Sequence, residues 1–588
     1  MHITSVTMKI LVLLCICATA INSLELSFKN FPTDVIKSSS PDYYANLILQ
    51  KLHQNDTRAK SNVSNKCKGQ LLLFVSSLLK LEDWAVNMFD ASTKLPSGLL
   101  RGYASGLGSF DQCLNVRKET NSTGIIKGKY CLGAIPIVDL TPRPYQSENR
   151  MINLEDYKIN LHWAMCLPDG CSADEFEKLS ILPLKISTNS CQTADTQTTE
   201  YDSEDYCAMV FFGIVFVLMV LSTGYEAFNL LVKKENSWDI FYSFSVITNT
   251  IKIITPKNNN EEITCLHGMK VISLLFLTYG FTYATYMLTP LDNLLDIYAW
   301  LTDQLTSIYF EGILVVDTFF VISGMLVSYN YLNFREKRLK FNILSYYIAR
   351  ILRLSPALFA IVLLNGTLMR HMGSGPIWPL MKNTLLVNNC RENWWTTLLY
   401  IQNYVYPNYF TPIIVLLCWI LAMGLIVLSF SSPGIVGASY DWVKNSLHLA
   451  LIRIPWSIAI AWFIFACINK LSGPVNYILS APVCQAISRI SYCTFLTNTT
   501  VIAVVTLQTR RGVEFTNTDV LYQFWPLLVY TLTIGFVWTL AFEAPIIRIQ
   551  KCLFSSSFKF SYPAEILQKK ITNRFKDQSS PKTICTSL

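Results

Sequence analysis

Charge is scarce in this sequence. Asp, Glu, Lys and Arg make up only 15% of 588 residues, against roughly 25% in a soluble globular chain. Hydrophobic residues reach 51%, so much of the surface faces lipid rather than water. Histidine is scarcer still: His2, His53, His162, His267, His371 and His448, none central to an apolar run. HExxH, a GxSxG elbow and a P-loop are all missing, and residue types alone therefore name no reaction. No CxxC faces a second CxxC, which argues against zinc, and no bound cofactor is indicated. Zinc-finger, RRM and helix-turn-helix spacings are absent too. With a net charge of only +8 spread over the chain, nucleic acid is not expected as a partner.

What is present begins with a targeting pattern. Lys9 precedes an apolar run over 10–20 that ends in Ala18-Thr19-Ala20, a small-x-small cleavage site. The run is too short for a hydrocarbon core of about 30 Å, so 1–20 reads as a cleaved signal peptide.

The domain over 21–207 carries no long apolar run; up to Tyr206 it holds six cysteines, Cys67, Cys113, Cys131, Cys166, Cys171 and Cys191, and Cys207 sits at the edge of the first span. An even set behind a secretory signal implies disulfides, because the compartment beyond is oxidising; the pairing stays open among 15 connectivities. Sequons at Asn55, Asn62 and Asn121 predict glycosylation. Apolar spacing predicts one helix over 70–89, and the Pro96-Ser97-Gly98 cluster and the glycines of 102–108 predict loops.

From residue 208 the chain becomes a series of apolar runs. Spans are expected at 208–232, 269–288, 308–331, 346–368, 410–430, 454–468, 487–507 and 524–542. Lys233, Lys234, Lys252 and Lys257 follow the first; Asp292, Asp296 and Asp303 the second; Arg335, Lys337, Arg338 and Lys340 the third. That alternation puts the N-terminal domain outside and the two basic loops in the cytosol. The tail over 555–588 is basic as well, with Lys559, Lys569, Lys570, Arg574, Lys576 and Lys582. Eight spans would leave it outside, so charge and span parity conflict.

Ionisable groups inside spans are costly and mark protein-lined cavities. Asp317 lies in the third span, and Arg350 and Arg353 share a face at the start of the fourth. Two such arginines suit a phosphate or carboxylate at the cytosolic face. Glu543, just before Pro545, is expected at the interface. His267 sits at the head of the second span, where packing is its commoner role.

Two sets of motifs carry a resemblance. Trp84-Ala85-Val86-Asn87-Met88-Phe89-Asp90-Ala91, Leu107-Gly108-Ser109-Phe110-Asp111-Gln112-Cys113, Gly128-Lys129-Tyr130-Cys131-Leu132 and Trp163-Ala164-Met165-Cys166-Leu167-Pro168-Asp169-Gly170-Cys171-Ser172 stand in order. They resemble the ectodomain of the nose-resistant-to-fluoxetine family. The stretches 265–280, 316–329, 346–357, 393–404, 453–476 and 488–496 look like the acyltransferase-3 domain that follows it in that family. The resemblance implies acyl transfer from a cytosolic donor such as acyl-CoA to a hydroxyl acceptor. It adds Lys270, where the family has arginine, to Asp317, Arg350 and Arg353 as candidate donor-binding or cavity residues.

The departures bear on activity. The family's general-base histidine falls where this chain has Phe281, and a second histidine falls at Asn498. No residue is therefore assigned a catalytic role. An internal stretch between Tyr404 and Phe410, with the spans behind it, is missing relative to the family; three lost spans would resolve the parity conflict. The resulting expectation is a mostly α protein: a disulfide-bonded ectodomain over 21–207, then a polytopic acyltransferase-3-like membrane domain over 208–554 with about eight spans. Its environment is the bilayer. Three functions compete: acyl transfer, transport or carriage of a lipid or small hydrophobe, and binding or scaffolding through the ectodomain.

Overall fold

The computed structural model describes residues 40–57, 63–94, 106–120, 124–136, 160–180, 184–197, 200–232, 241–256, 263–293, 300, 315–336, 343–380, 387–401, 453–468 and 473–557. The signal segment, the expected span over 410–430, the sequons at Asn62 and Asn121, and the tail beyond 557 lie outside the described residues, as does the side chain of Asn55.

The N-terminal region packs helices α1 (Pro41–Thr57), α2 (Asn65–Leu79), α3 (Asp83–Ala91), α4 (Phe110–Asn115) and α5 (Ala173–Leu179) around a small antiparallel sheet. The sheet holds β1 (Arg117–Thr120), β2 (Gly124–Pro136), β3 (Asn160–Pro168) and β4 (Cys191–Thr193). The 13 residues of β2 organise it. One edge of β2 pairs β3 along its length, from Gly128↔Pro168 to Pro136↔Asn160. The other edge takes β1 at Arg117↔Lys127 and β4 at Cys131↔Cys191. Gly128 has no alternative residue: a Cβ there would meet the carbonyl oxygen of Cys113 at 1.9 Å.

All six cysteines are joined, as Cys67–Cys171, Cys113–Cys166 and Cys131–Cys191. The bridges tie α2 to the start of α5, α4 to β3, and β4 to β2. Between them lies one apolar core that includes Phe74, Leu78, Met88, Phe110 and Phe176. Tyr130 is fully buried yet satisfied, its hydroxyl donating to the carbonyl of Leu107 at 2.8 Å. The single helix expected over 70–89 is two. Leu81 adopts φ 57°, in the left-handed region that ends a helix, and its side chain is 66% exposed. The break re-aims α3 so that Trp84 meets the Phe74 ring edge-on at 6.1 Å.

The remainder is helical: α6 (Ser203–Val232), α7 (Val246–Ile254), α8 (Cys265–Tyr286), α9 (Val315–Glu336), α10 (Ile343–Gly366), α11 (Val387–Leu398), α12 (Arg453–Ile468), α13 (Gly473–Leu479), α14 (Pro482–Thr506), α15 (Asn517–Trp538) and α16 (Ala544–Ser557). Among the described residues, five helical runs are long and apolar enough to cross a bilayer: Ser203–Val232, Cys265–Tyr286, Val315–Glu336, Tyr346–Gly366 and Asn517–Gln550. The expected count of about eight is not confirmed among the described residues. α12 has 16 residues, short of the roughly 20 that a span needs. α14 is long enough, with 25 residues, but carries buried Ser488, Ser491, Thr494, Thr497 and Thr500. It is an internal helix packed on α8 and α15, and α8 itself is mostly buried.

The last run passes through Pro545 because a π turn, Thr539–Glu543, precedes it. The N–H of Ala544 bonds the carbonyl of Thr539, one residue further back than in an α-helix. That wider turn carries Glu543 inward against the other helices, to 1% exposure.

Candidate functional site

Polar side chains of the bundle converge where α8, α10, α14 and the π turn meet. Arg353 on α10 donates from Nε (3.2 Å) and Nη2 (2.8 Å) to Oε1 of Glu543. Cys493 on α14 donates its thiol to Oε2 of the same carboxylate at 3.4 Å. Lys270 on α8 lies close enough to feel the charges of both Arg353 and Glu543. On either side of Pro356, the Tyr492 hydroxyl donates to the carbonyl of Leu354 (2.9 Å) and the Trp538 indole to that of Ala357 (3.2 Å). These bonds fix α10 where proline interrupts its own ladder.

Arg350 is differently placed. Its guanidinium donates to the Tyr346 hydroxyl at 2.9 Å and to Oγ of Ser323 on α9 at 2.8 Å. Both acceptors are neutral and the site is exposed, so this fork can accept an anion in a way that the Glu543-bound Arg353 cannot. The two arginines therefore diverge instead of forming one clamp. Asp317 sits in the first turn of α9, half-buried, on the helix that carries Ser323.

Further along, Phe281 packs with Leu277, Ile502 and Leu527, with Val316 and Phe495 at the edge. Asn498 lies on the same stretch of α14, fully buried, and among the described residues neither its amide oxygen nor its amide nitrogen has a hydrogen-bond partner. Its direction follows from its helix. Thr494, one turn before, crowds Gly535 of α15, where a Cβ would come within 2.2 Å of Oγ1. Ile502, one turn after, meets Phe281 of α8. Asn498 stands between them and faces the seam of α8 and α15. A buried amide left unsatisfied costs about 1–3 kcal/mol, which marks this point as one where a hydroxyl, carbonyl or water would be held.

The described histidines lie elsewhere. His267 bonds Oγ of Ser488 through Nδ1 at 3.0 Å, and His371 lies against Asp205; His53 and His162 belong to the N-terminal region.

Residues 67–180 match the family described as Nose resistant-to-fluoxetine protein, N-terminal domain. Over these residues the chain is similar to the nose-resistant-to-fluoxetine family. Nose resistant to fluoxetine protein 6 of Caenorhabditis elegans is 23% identical over 652 aligned positions, covering 80% of this chain and 79% of that protein. The alignment is longer than the chain's own 588 residues, so it carries many gaps. No solved structure matches. Five helical runs long and apolar enough to cross a bilayer, together with a disulfide-bonded N-terminal domain, fit a multi-pass membrane protein.

Sequence patterns single out Arg350, Arg353 and Asp317, and the resemblance adds Lys270, but neither gives their surroundings. The thiol of Cys493 and the unsatisfied amide of Asn498 look like ordinary small polar residues in an apolar run. Their one local signal is the density of Ser and Thr along α14, which betrays a helix facing protein on more than one side.

Proposed function

We propose that this chain is a membrane-embedded binder of an acyl donor or a comparable small hydrophobe, built on an acyltransferase-3-like bundle but not turning over. The carrying observation is the seam at Phe281 and Asn498. The resemblance would put histidines at both positions; here one is phenylalanine in an apolar cluster and the other is a buried amide with no partner among the described residues. Neither side chain accepts a proton at neutral pH, and a positioned base supplies roughly 10²–10⁴-fold in such transfers. Arg350 supports the binding half of the reading, because it offers charged N–H donors with no carboxylate among its bonded partners. On this reading the extracellular domain ends near residue 207, its sequons carry glycans, and residues 1–20 are removed. The many gaps in the alignment are compatible with an internal segment missing relative to the family.

The test uses purified protein in lipid nanodiscs with a labelled long-chain acyl-CoA and a panel of hydroxyl acceptors, read for binding and for product. Saturable binding without product is expected. Arg350→Ala should weaken it about tenfold, the loss of one charge-assisted phosphate contact. Arg353→Ala should instead lower stability. Product at the level of an intact family enzyme overturns the proposal, as does the absence of saturable binding.

A further inference from the structure

A second charged cluster lies at the other end of the bundle, where the head of α6 meets the segment between α10 and α11. Asp205 is fully buried there. Its Oδ2 receives Nη2 of Arg370 and, at 2.9 Å, the backbone N–H of Asp202, while Oδ1 has no partner. Arg370 also pairs Asp202 at 2.8 Å, and Arg391 pairs Asp202 at 3.0 Å and Glu204 at 2.9 Å. The ring of Tyr201 stacks on that of His371 with centroids 4.3 Å apart.

His371 occupies a two-way position. Its Nε2 lies 3.1 Å from Nε of Arg370, a donor, and 3.1 Å from Oδ2 of Asp205, an acceptor. One nitrogen cannot serve both. Without a proton it accepts from Arg370; with one it donates to Asp205. The charged groups around it, among the described residues, are Asp202, Glu204 and Asp205 from the head of α6, Arg370 from the turn after α10, and Arg391 from α11; Tyr201 covers the ring face. Three carboxylates stand against two guanidiniums. Protonated His371 supplies the third positive charge and reaches the one carboxylate that is fully buried.

We propose that Asp205 and His371 form a proton-binding site that clamps the head of α6 to the segment following α10. The clamp is closed when His371 carries its proton and loosens when it does not. It lies beneath the disulfide-bonded N-terminal domain and bears on its seat. Gln192, beside the Cys131–Cys191 bridge, donates to the carbonyl of Gly375 at 3.1 Å. Arg510 holds Ser374 through Oγ at 2.7 Å and Asp111 of the N-terminal region at 3.1 Å. Both contacts grip the stretch immediately after His371, so a firmer clamp steadies the domain above.

The test follows thermal unfolding of the full-length protein in nanodiscs from about pH 8 to about pH 5.5, bracketing the histidine range. Hydrogen exchange of the 366–380 region is read beside it. Wild type should gain a few degrees of melting temperature on acidification relative to His371→Asn, with protection of 366–380 rising in parallel. Arg391→Gln removes one positive charge at the rim, leaves the cluster more negative, and should move the midpoint of that gain to higher pH. This second variant decides the matter if His371→Asn does not fold. Identical pH profiles for wild type and His371→Asn overturn the proposal, as does a midpoint in Arg391→Gln that stays put or moves to lower pH.

Discussion

Arg353 and Glu543, 190 positions apart in the chain, share a single carboxylate oxygen through two guanidinium N–H bonds of 3.2 and 2.8 Å. The glutamate side chain is 2% exposed and the arginine 46%. Removing the arginine strands a buried carboxylate; removing the glutamate leaves a cation that can still reach its surroundings. Arg353→Ala should therefore be the more damaging, by about 3 kcal/mol, toward the low end for breaking a buried pair because the arginine is half-exposed. Melting curves of the two single variants in detergent, with Arg353→Lys as an intermediate, check the order. Equal losses in both would remove the asymmetry from the account.

Glu175 performs two capping duties in the disulfide-bonded N-terminal domain. Oε1 accepts from the backbone N–H of Ser64 and Oε2 from that of Ser172, each at 2.6 Å, so one side chain closes the starts of both α2 and α5. Burial pushes its carboxyl upward, but the two N–H bonds outweigh that and hold it below the ordinary glutamate value. A depressed value means stability that is present above the unfolded pKa of about 4.3 and lost as pH falls through the folded value. Glu175→Gln should cost about 2 kcal/mol at neutral pH, the scale of hydrogen bonds to a charged group. It should also flatten the acid limb of the denaturation curve. An unchanged acid limb in the variant would place the titrating group elsewhere.

Cys131 and Cys191 sit directly opposite each other on β2 and β4, and their bridge closes 60 residues of chain. Losing a native disulfide from a small secreted domain costs roughly 2–5 kcal/mol. Cys131→Ser should accordingly be retained in the endoplasmic reticulum, with less at the surface than wild type. Peptide mapping without reduction should recover Cys67–Cys171, Cys113–Cys166 and Cys131–Cys191; free thiols at most of these positions in mature protein contradict it.

The loop after α9 carries Arg335, Lys337, Arg338 and Lys340, and the charge alternation predicts that it is cytosolic. A glycosylation tag inserted between Lys337 and Arg338 should stay unmodified, while Asn121 in the N-terminal domain should accept a glycan. A glycan on the inserted tag reverses the orientation.

Membrane residence, the division into a cysteine-bearing part and an apolar part, and the family motifs are legible residue by residue. Each rests on composition or short-range order, which adds up along the chain whatever its distant parts do. Helix ends were less legible: nothing local separates Leu81 from its helical neighbours, and only its φ of 57° breaks α2 from α3. The sheet is hidden as well, because β2 gathers β1, β3 and β4 from segments far apart in the chain.

Pairings belong to a different level. Six cysteines permit 15 connectivities, and the choice was made by β2 lying between β3 and β4, with α2 laid against β3 and α4 against β2. Glu543 reads as an interfacial acid, and nothing in its neighbours shows that the π turn brings it onto Arg353. Asn498 reads as one more polar residue in a span until α8 and α15 close around it and leave its amide unanswered. The reason is common to all three: the free energy of a polar or sulfur atom depends on which remote group arrives beside it, and spacing along the chain carries no record of that arrival.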